Sequence, residues 1–152
     1  MVISGIEGVL ITPLKTISDT RGAVLHFLRS DSPGFEIFGE CYFSEINPGS
    51  VKAWKKHLKQ IQNIVVPLGI IKIALFDDRA NSKTFGKLEV LEIGRPDSYF
   101  RITIPANIWH GFKCVSNTPA LLANCANIKH DLSESVVLLQ DDHSIPLNWN
   151  II

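Results

Sequence analysis

Residues 100–104 read Phe-Arg-Ile-Thr-Ile, with Phe100, Ile102 and Ile104 on one side of an extended chain and Arg101 and Thr103 on the other. Alternation with a period of two is the mark of a half-buried β-strand, one face on a core and the other toward a pocket or solvent. Working outward from it, β-branched and aromatic runs recur at 24–28, 37–46, 61–66, 70–76, 88–93, 112–115, 121–125 and 136–139. Between them stand Ser32-Pro33-Gly34, Asn47-Pro48-Gly49, Pro67-Leu68-Gly69, Arg95-Pro96-Asp97 and Asn117-Thr118-Pro119, combinations that preset turn dihedrals. Helical periodicity is absent. Many short strands with no crossover helices specify an all-β sandwich or barrel.

The chain has 152 residues, within the size of one domain, and carries neither an internal repeat nor a low-complexity linker, so a single domain over 1–152 is expected. Fifteen basic side chains balance fifteen acidic ones. A nucleic-acid binder advertises a basic excess, and here only Lys52, Lys55, Lys56 and Lys59 cluster, so no nucleic-acid partner is expected. No run approaches the ~20 apolar residues of a membrane span, and residues 1–14 lack the basic start of a signal peptide. Cys41, Cys114 and Cys125 are odd in number and share no metal-like spacing, which makes the cytoplasm the simplest compartment.

The run at 70–76 is apolar on both faces except for Lys72. An unpaired ammonium inside a closed core costs several kcal/mol, so Lys72 either snorkels outward or serves a pocket.

Several segments, in order, resemble the dTDP-4-dehydrorhamnose 3,5-epimerase family of cupins. They are Asp19-Thr20-Arg21-Gly22, Trp54-Lys55-Lys56-His57 with Gln60, Gly69 leading to Asp77-Asp78-Arg79, Ser82-Lys83-Thr84-Phe85-Gly86, Ile104-Pro105 with Trp109-His110-Gly111-Phe112, and Asp141-Asp142 followed by Trp149. The resemblance spans almost the whole chain. It implies a cupin jelly-roll barrel, usually a homodimer, with a deep pocket for a nucleoside diphosphate sugar. The family inverts carbons flanking a 4-keto group by removing a proton acidified by the carbonyl, a cofactor-independent reaction. That chemistry needs a base, an oxyanion stabiliser and a proton donor. A histidine suits the base because its pKa lies near neutrality.

By the resemblance, His57 is the base, His110 and Lys72 polarise the keto oxygen, and Arg21, Lys55 and Lys56 hold the diphosphate. Trp54, Gln60 and Gln62 complete the substrate-binding set, Trp54 standing where the family has a phosphate-binding arginine and Gln62 where it has a lysine. The family's acid-donating tyrosine falls at Ala123 by spacing, and the two tyrosines of the chain, Tyr42 and Tyr99, lie far from it in sequence. The family's aspartate that orients the base belongs to a C-terminal extension, and this chain ends at Ile152 before it. These departures weaken double epimerisation more than they weaken sugar-nucleotide binding. A non-catalytic cupin that binds a sugar nucleotide is therefore the alternative from another class.

A metal cupin presents two histidines one residue apart, a glutamate shortly after and a later histidine. Two residues after His57 stands Lys59, and no glutamate follows until Glu89, so no metal is expected. Asp77 and Arg79, at a strand end, suggest a structural ion pair.

Overall fold

A computed structural model describes residues 2–152. Among these residues are thirteen strands: β1 (Val2–Ile3), β2 (Leu10–Pro13), β3 (Thr16–Asp19), β4 (Gly22–Leu25), β5 (Glu40–Ile46), β6 (Val51–His57), β7 (Gln62–Leu68), β8 (Ile70–Asp77), β9 (Leu88–Gly94), β10 (Phe100–Ile104), β11 (Ile108–Cys114), β12 (Ala120–Ala126) and β13 (Ser135–Val137). The one helical element among the described residues is a 3-10 turn at Leu132–Glu134. Among the described residues no helix is long and apolar enough to cross a membrane.

Two antiparallel sheets face each other. One has the order β1-β2-β10-β7-β12-β5 and the other β13-β6-β11-β8-β9, while β3 and β4 form a separate hairpin. This is the all-β cupin jelly roll expected from the strand pattern and the family segments. Ile46, Ile64, Val66, Ile71, Ile73, Leu75, Ile93, Ile102, Ile104 and Leu122 meet between the sheets, each at most 2% exposed. Branched side chains suit this setting because they lose little freedom on a pleated, crowded face.

The strand at Phe100–Ile104 is present with the bounds its alternation gives. Its second face meets neither pocket nor solvent. Arg101 is 1% exposed, and its guanidinium donates to the carbonyls of Phe27 at 3.1 Å and Pro33 at 2.6 Å. That pins the segment after β4 over the outside of the six-stranded sheet, above Val65, Tyr99 and Ala123. The sequence reading omits β1, β2, β3 and β6, which are short or carry too few alternating apolar residues to register as strands.

The outside of the five-stranded sheet is covered as well. Trp54, Ala74, Trp109, Ile145 and Trp149 form a second cluster there, against which Phe76, Val90 and Leu147 pack. Lys113 Nζ donates to the carbonyls of Trp149 and Ile152, tying down the last residues. Gly111 is required at this crossing. A Cβ on it would stand 2.5 Å from Ala53 Cβ and 2.9 Å from the Trp149 ring. Asp77, fully buried, accepts from Arg79, Ser82 and Thr84 and closes the loop between β8 and β9. Those donors hold its carboxyl far below the usual range although burial opposes them.

Candidate active site

Strand parity divides the barrel interior. On β11, Ile108, His110, Phe112 and Cys114 point between the sheets, and on β7 Gln62 shares a face with Ile64 and Val66. On β12 and β5 the inward positions include Asn124 with Leu122, and Glu40, Tyr42 and Ser44 with Ile46. One end of the interior is therefore apolar and closed. The other is polar and opens into a cavity of about 390 Å³ lined by Glu40, Tyr42, Lys55, His57, Gln60 and His130.

His57 ends β6 and stacks on His110, their rings 5.8 Å apart and 11° from parallel. Its Nδ1 lies 2.6 Å from Glu134 Oε2. The other Glu134 oxygen accepts from the backbone N–H groups of Lys59 at 2.6 Å and Gln60 at 2.7 Å. Glu134 is 7% exposed; burial opposes its ionisation, but the His57 and backbone donors prevail and hold its pKa below the ordinary value. A carboxylate accepts only, so Nδ1 of His57 carries the proton and Nε2 keeps its lone pair. That Nε2 is buried and has no partner. Burial lowers the His57 pKa, Glu134 partly restoring it. His110 is pushed down to about 3 by burial and then by His57, so near neutrality both rings are uncharged. The result is an oriented imidazole with a free basic nitrogen at the open end of a barrel, the geometry of a general base.

Of the residues that the sequence nominates, His57, His110, Lys55, Gln60 and Gln62 are brought to this end. Four are not. Lys72 stands opposite Lys113 and Glu92 in register, on the face of β8 that carries Ala74 and Phe76, and so points out of the barrel. Its ammonium escapes to the outside, the cheaper solution for a charge in an apolar strand. Trp54 is 1% exposed in the outer cluster, 5.0 Å from Trp149, and packs rather than stacking on a ligand. Lys56 shares that outer side; its Nζ is 2.7 Å from Asp78 Oδ2 and 4.6 Å from the Trp109 ring centre. Arg21 sits on the β3–β4 hairpin, its side chain 88% exposed and paired only with Asp19. The Trp-Lys-Lys-His segment thus splits across two faces of one strand.

Two further corrections concern the acid and the carboxylate. Ala123 faces outward onto Val65 and Tyr99, so it marks no pocket position. Tyr42 does reach the cavity, from the sheet facing the histidines, and its hydroxyl accepts from Asn124 Nδ2 at 2.9 Å. A carboxylate on His57 is present too, supplied by Glu134, 77 residues from it in sequence. Among the described residues no group of three or more His, Cys, Asp or Glu side chains is placed to hold a metal ion.

A family model described as dTDP-4-dehydrorhamnose 3,5-epimerase matches residues 4–152. The chain belongs to the dTDP-4-dehydrorhamnose 3,5-epimerase family. Within that family it is similar to the probable low-salt glycan biosynthesis epimerase Agl13 of Haloferax volcanii, 37% identical over 93% of this chain and 88% of the relative. It is also similar to the spore coat polysaccharide biosynthesis protein SpsL of Bacillus subtilis, 31% identical over 95% of this chain and 97% of the relative. Among solved structures, a dTDP sugar isomerase from Desulfovibrio desulfuricans G20 is 44% identical, covers 99% of this chain and 96% of its own, and superposes with a TM-score of 0.96.

Proposed function

We propose that this family member epimerises a nucleotide-activated 4-keto-6-deoxy sugar, with Nε2 of His57 removing the proton from a carbon beside the keto group. The observation that carries the reading is the buried His57–Glu134 pair, its basic nitrogen unpartnered at the open end of the barrel. Removing that proton leaves an enolate, and the Glu134 carboxylate stabilises the imidazolium formed with it. His110, neutral and stacked on His57, polarises the keto oxygen through a ring N–H. Lys55, the one lysine lining the cavity, receives the diphosphate.

Inversion needs the new proton from the opposite side of the sugar ring. Tyr42 supports that role: it comes from the facing sheet, and because Asn124 donates to its oxygen, its own proton is free to be given. The product is then the epimer at that carbon, with the keto group regenerated.

The homodimer belongs to the same reading. The β3–β4 hairpin is exposed over nearly all its length, with Ile17 and Val24 paired across it at 47% and 61% exposure. A lone two-stranded hairpin is marginal in water, and a second copy of the chain is the partner that would cover it and receive Arg21 at its phosphate end. Light scattering after Val24→Asp should show a smaller particle; an unchanged mass would remove this interface. Three cysteines in no disulfide fit a cytoplasmic protein.

Incubating the protein with dTDP-4-keto-6-deoxyglucose in deuterated water tests the function. Deuterium entering at C3 or C5, read by NMR, is the expected result. Absence of exchange with every nucleotide variant of that sugar would overturn it.

A further inference from the structure

Two buried amides on the wall opposite the histidines neither take nor give a proton in the reaction. Gln62 opens β7 and Asn124 lies in β12, on inward positions one row apart, since Ala126 pairs with Gln62 and Asn124 with Ile64. They are 2% and 1% exposed. The NH₂ ends of both are held by neighbours: Gln62 Nε2 donates to Gln60 Oε1 at 3.3 Å, and Asn124 Nδ2 donates to Tyr42 Oη at 2.9 Å. Gln60 Nε2 is itself committed to the Ile128 carbonyl at 3.1 Å, which fixes the direction of the Gln62 amide. Their carbonyl ends, Gln62 Oε1 and Asn124 Oδ1, are buried and accept nothing.

A buried acceptor without a donor destabilises the fold, and native proteins retain few of them. Two on one wall, at the same end of the barrel as the unpartnered Nε2 of His57, point to a ligand that brings donors. An acceptor repels the oxygens of a ketone, an enolate or a phosphate, so these carbonyls suit neither the keto group nor the diphosphate. They match hydroxyl groups.

We propose that Gln62 and Asn124 are the specificity-determining residues that accept hydrogen bonds from sugar hydroxyls of the bound nucleotide sugar. The proposal rests on the nucleotide-sugar reading above and adds what the pocket discriminates: sugars bearing ring hydroxyls against deoxygenated ones. Sites built to pair a substrate hydroxyl reject its absence strongly, because the protein acceptor is then left desolvated. It also changes the meaning of Gln62. In this chain that position of the substrate-binding set reads a hydroxyl.

Calorimetry with dTDP and with dTDP-glucose, which has hydroxyls but no keto group, tests this on the wild-type protein and on Gln62→Met and Asn124→Leu. The wild type should bind dTDP-glucose at least about tenfold more tightly than dTDP. Each variant should bind dTDP as the wild type does but lose most of that gain, while its ligand-free Tm stays level, because the orphan acceptor removed offsets the hydrogen bond lost to Gln60 or Tyr42. Variants that keep the full gain, or whose Tm falls by several degrees, would overturn the proposal by making the amides structural. Binding of neither compound to the wild type would overturn the nucleotide-sugar reading, and the proposal with it.

Discussion

The two ends of the barrel interior are built on the same strands and face opposite demands. At the closed end, Ile46, Val66, Ile71, Ile73 and Ile93 fill the space between the sheets, fully buried and with no polar atom to satisfy. At the open end, toward the other end of β7, β11 and β12, stand Gln62, His110 and Asn124, each with a buried polar atom left unpartnered. The closed end supplies stability, and the open end spends some of it. Four orphaned polar atoms on facing walls, counting His57 Nε2, are what a protein retains when a ligand completes them.

Predictions that break one end should therefore leave the other standing. The largest effect is expected from Tyr42→Phe. Inversion should fall by roughly 10²–10⁴-fold, the usual worth of a positioned proton donor, while deuterium exchange on the base side continues, since His57 is untouched. NMR of the product separates the two rates. Loss of both together would contradict the assignment of Tyr42 to the second step.

Next comes Ile73→Ala at the closed end. It should cost roughly 2–5 kcal/mol in a urea titration, with Tm falling by roughly 2–4 °C per kcal/mol for a chain of this size, and little change in activity per folded molecule. A large loss of kcat without loss of stability would erase the division between the two ends.

Glu134→Gln is expected to lower the exchange rate by at least roughly 10- to 100-fold, the loss that follows removal of a carboxylate orienting a metal-bound imidazole. It also moves the pH profile. The base works only when unprotonated, so activity falls as pH drops through the His57 pKa, which burial holds below 6.5 and Glu134 partly restores. Without the carboxylate the midpoint should move further to acid, and a shift toward higher pH would contradict the hydrogen-bonded pair.

The division of the barrel was only half legible in the sequence. Alternation at 100–104 gave that strand to the residue, because its inward side chains are uniformly apolar. Strand β6 stayed hidden. Ala53 and Trp54 both pack on the outer cluster, and the pairing with β11 shifts register between His110 and Phe112, so no two-residue period survives in Val51–His57. The family segments still located His57, but they could not say that its neighbours Trp54 and Lys56 turn outward.

Tyr42 could have been found by counting two and four residues back from the buried Ile46, which puts Ser44 and Tyr42 on the inward face. Spacing to Ala123 missed because one residue of offset reverses a side chain in a strand. Glu134 left no signal. It lies in a three-residue turn after a polar loop, and it meets His57 only because β13 pairs Ser135 with His57.

The central claim is that His57 takes the proton. The direct measurement is deuterium wash-in from solvent into dTDP-4-keto-6-deoxyglucose, comparing the wild type with His57→Asn at equal folded concentration, with dTDP affinity checked in both. The result expected is exchange in the wild type and, in the variant, a rate lower by at least about 10² with dTDP still bound. Wash-in at the wild-type rate in His57→Asn would show that another group removes the proton.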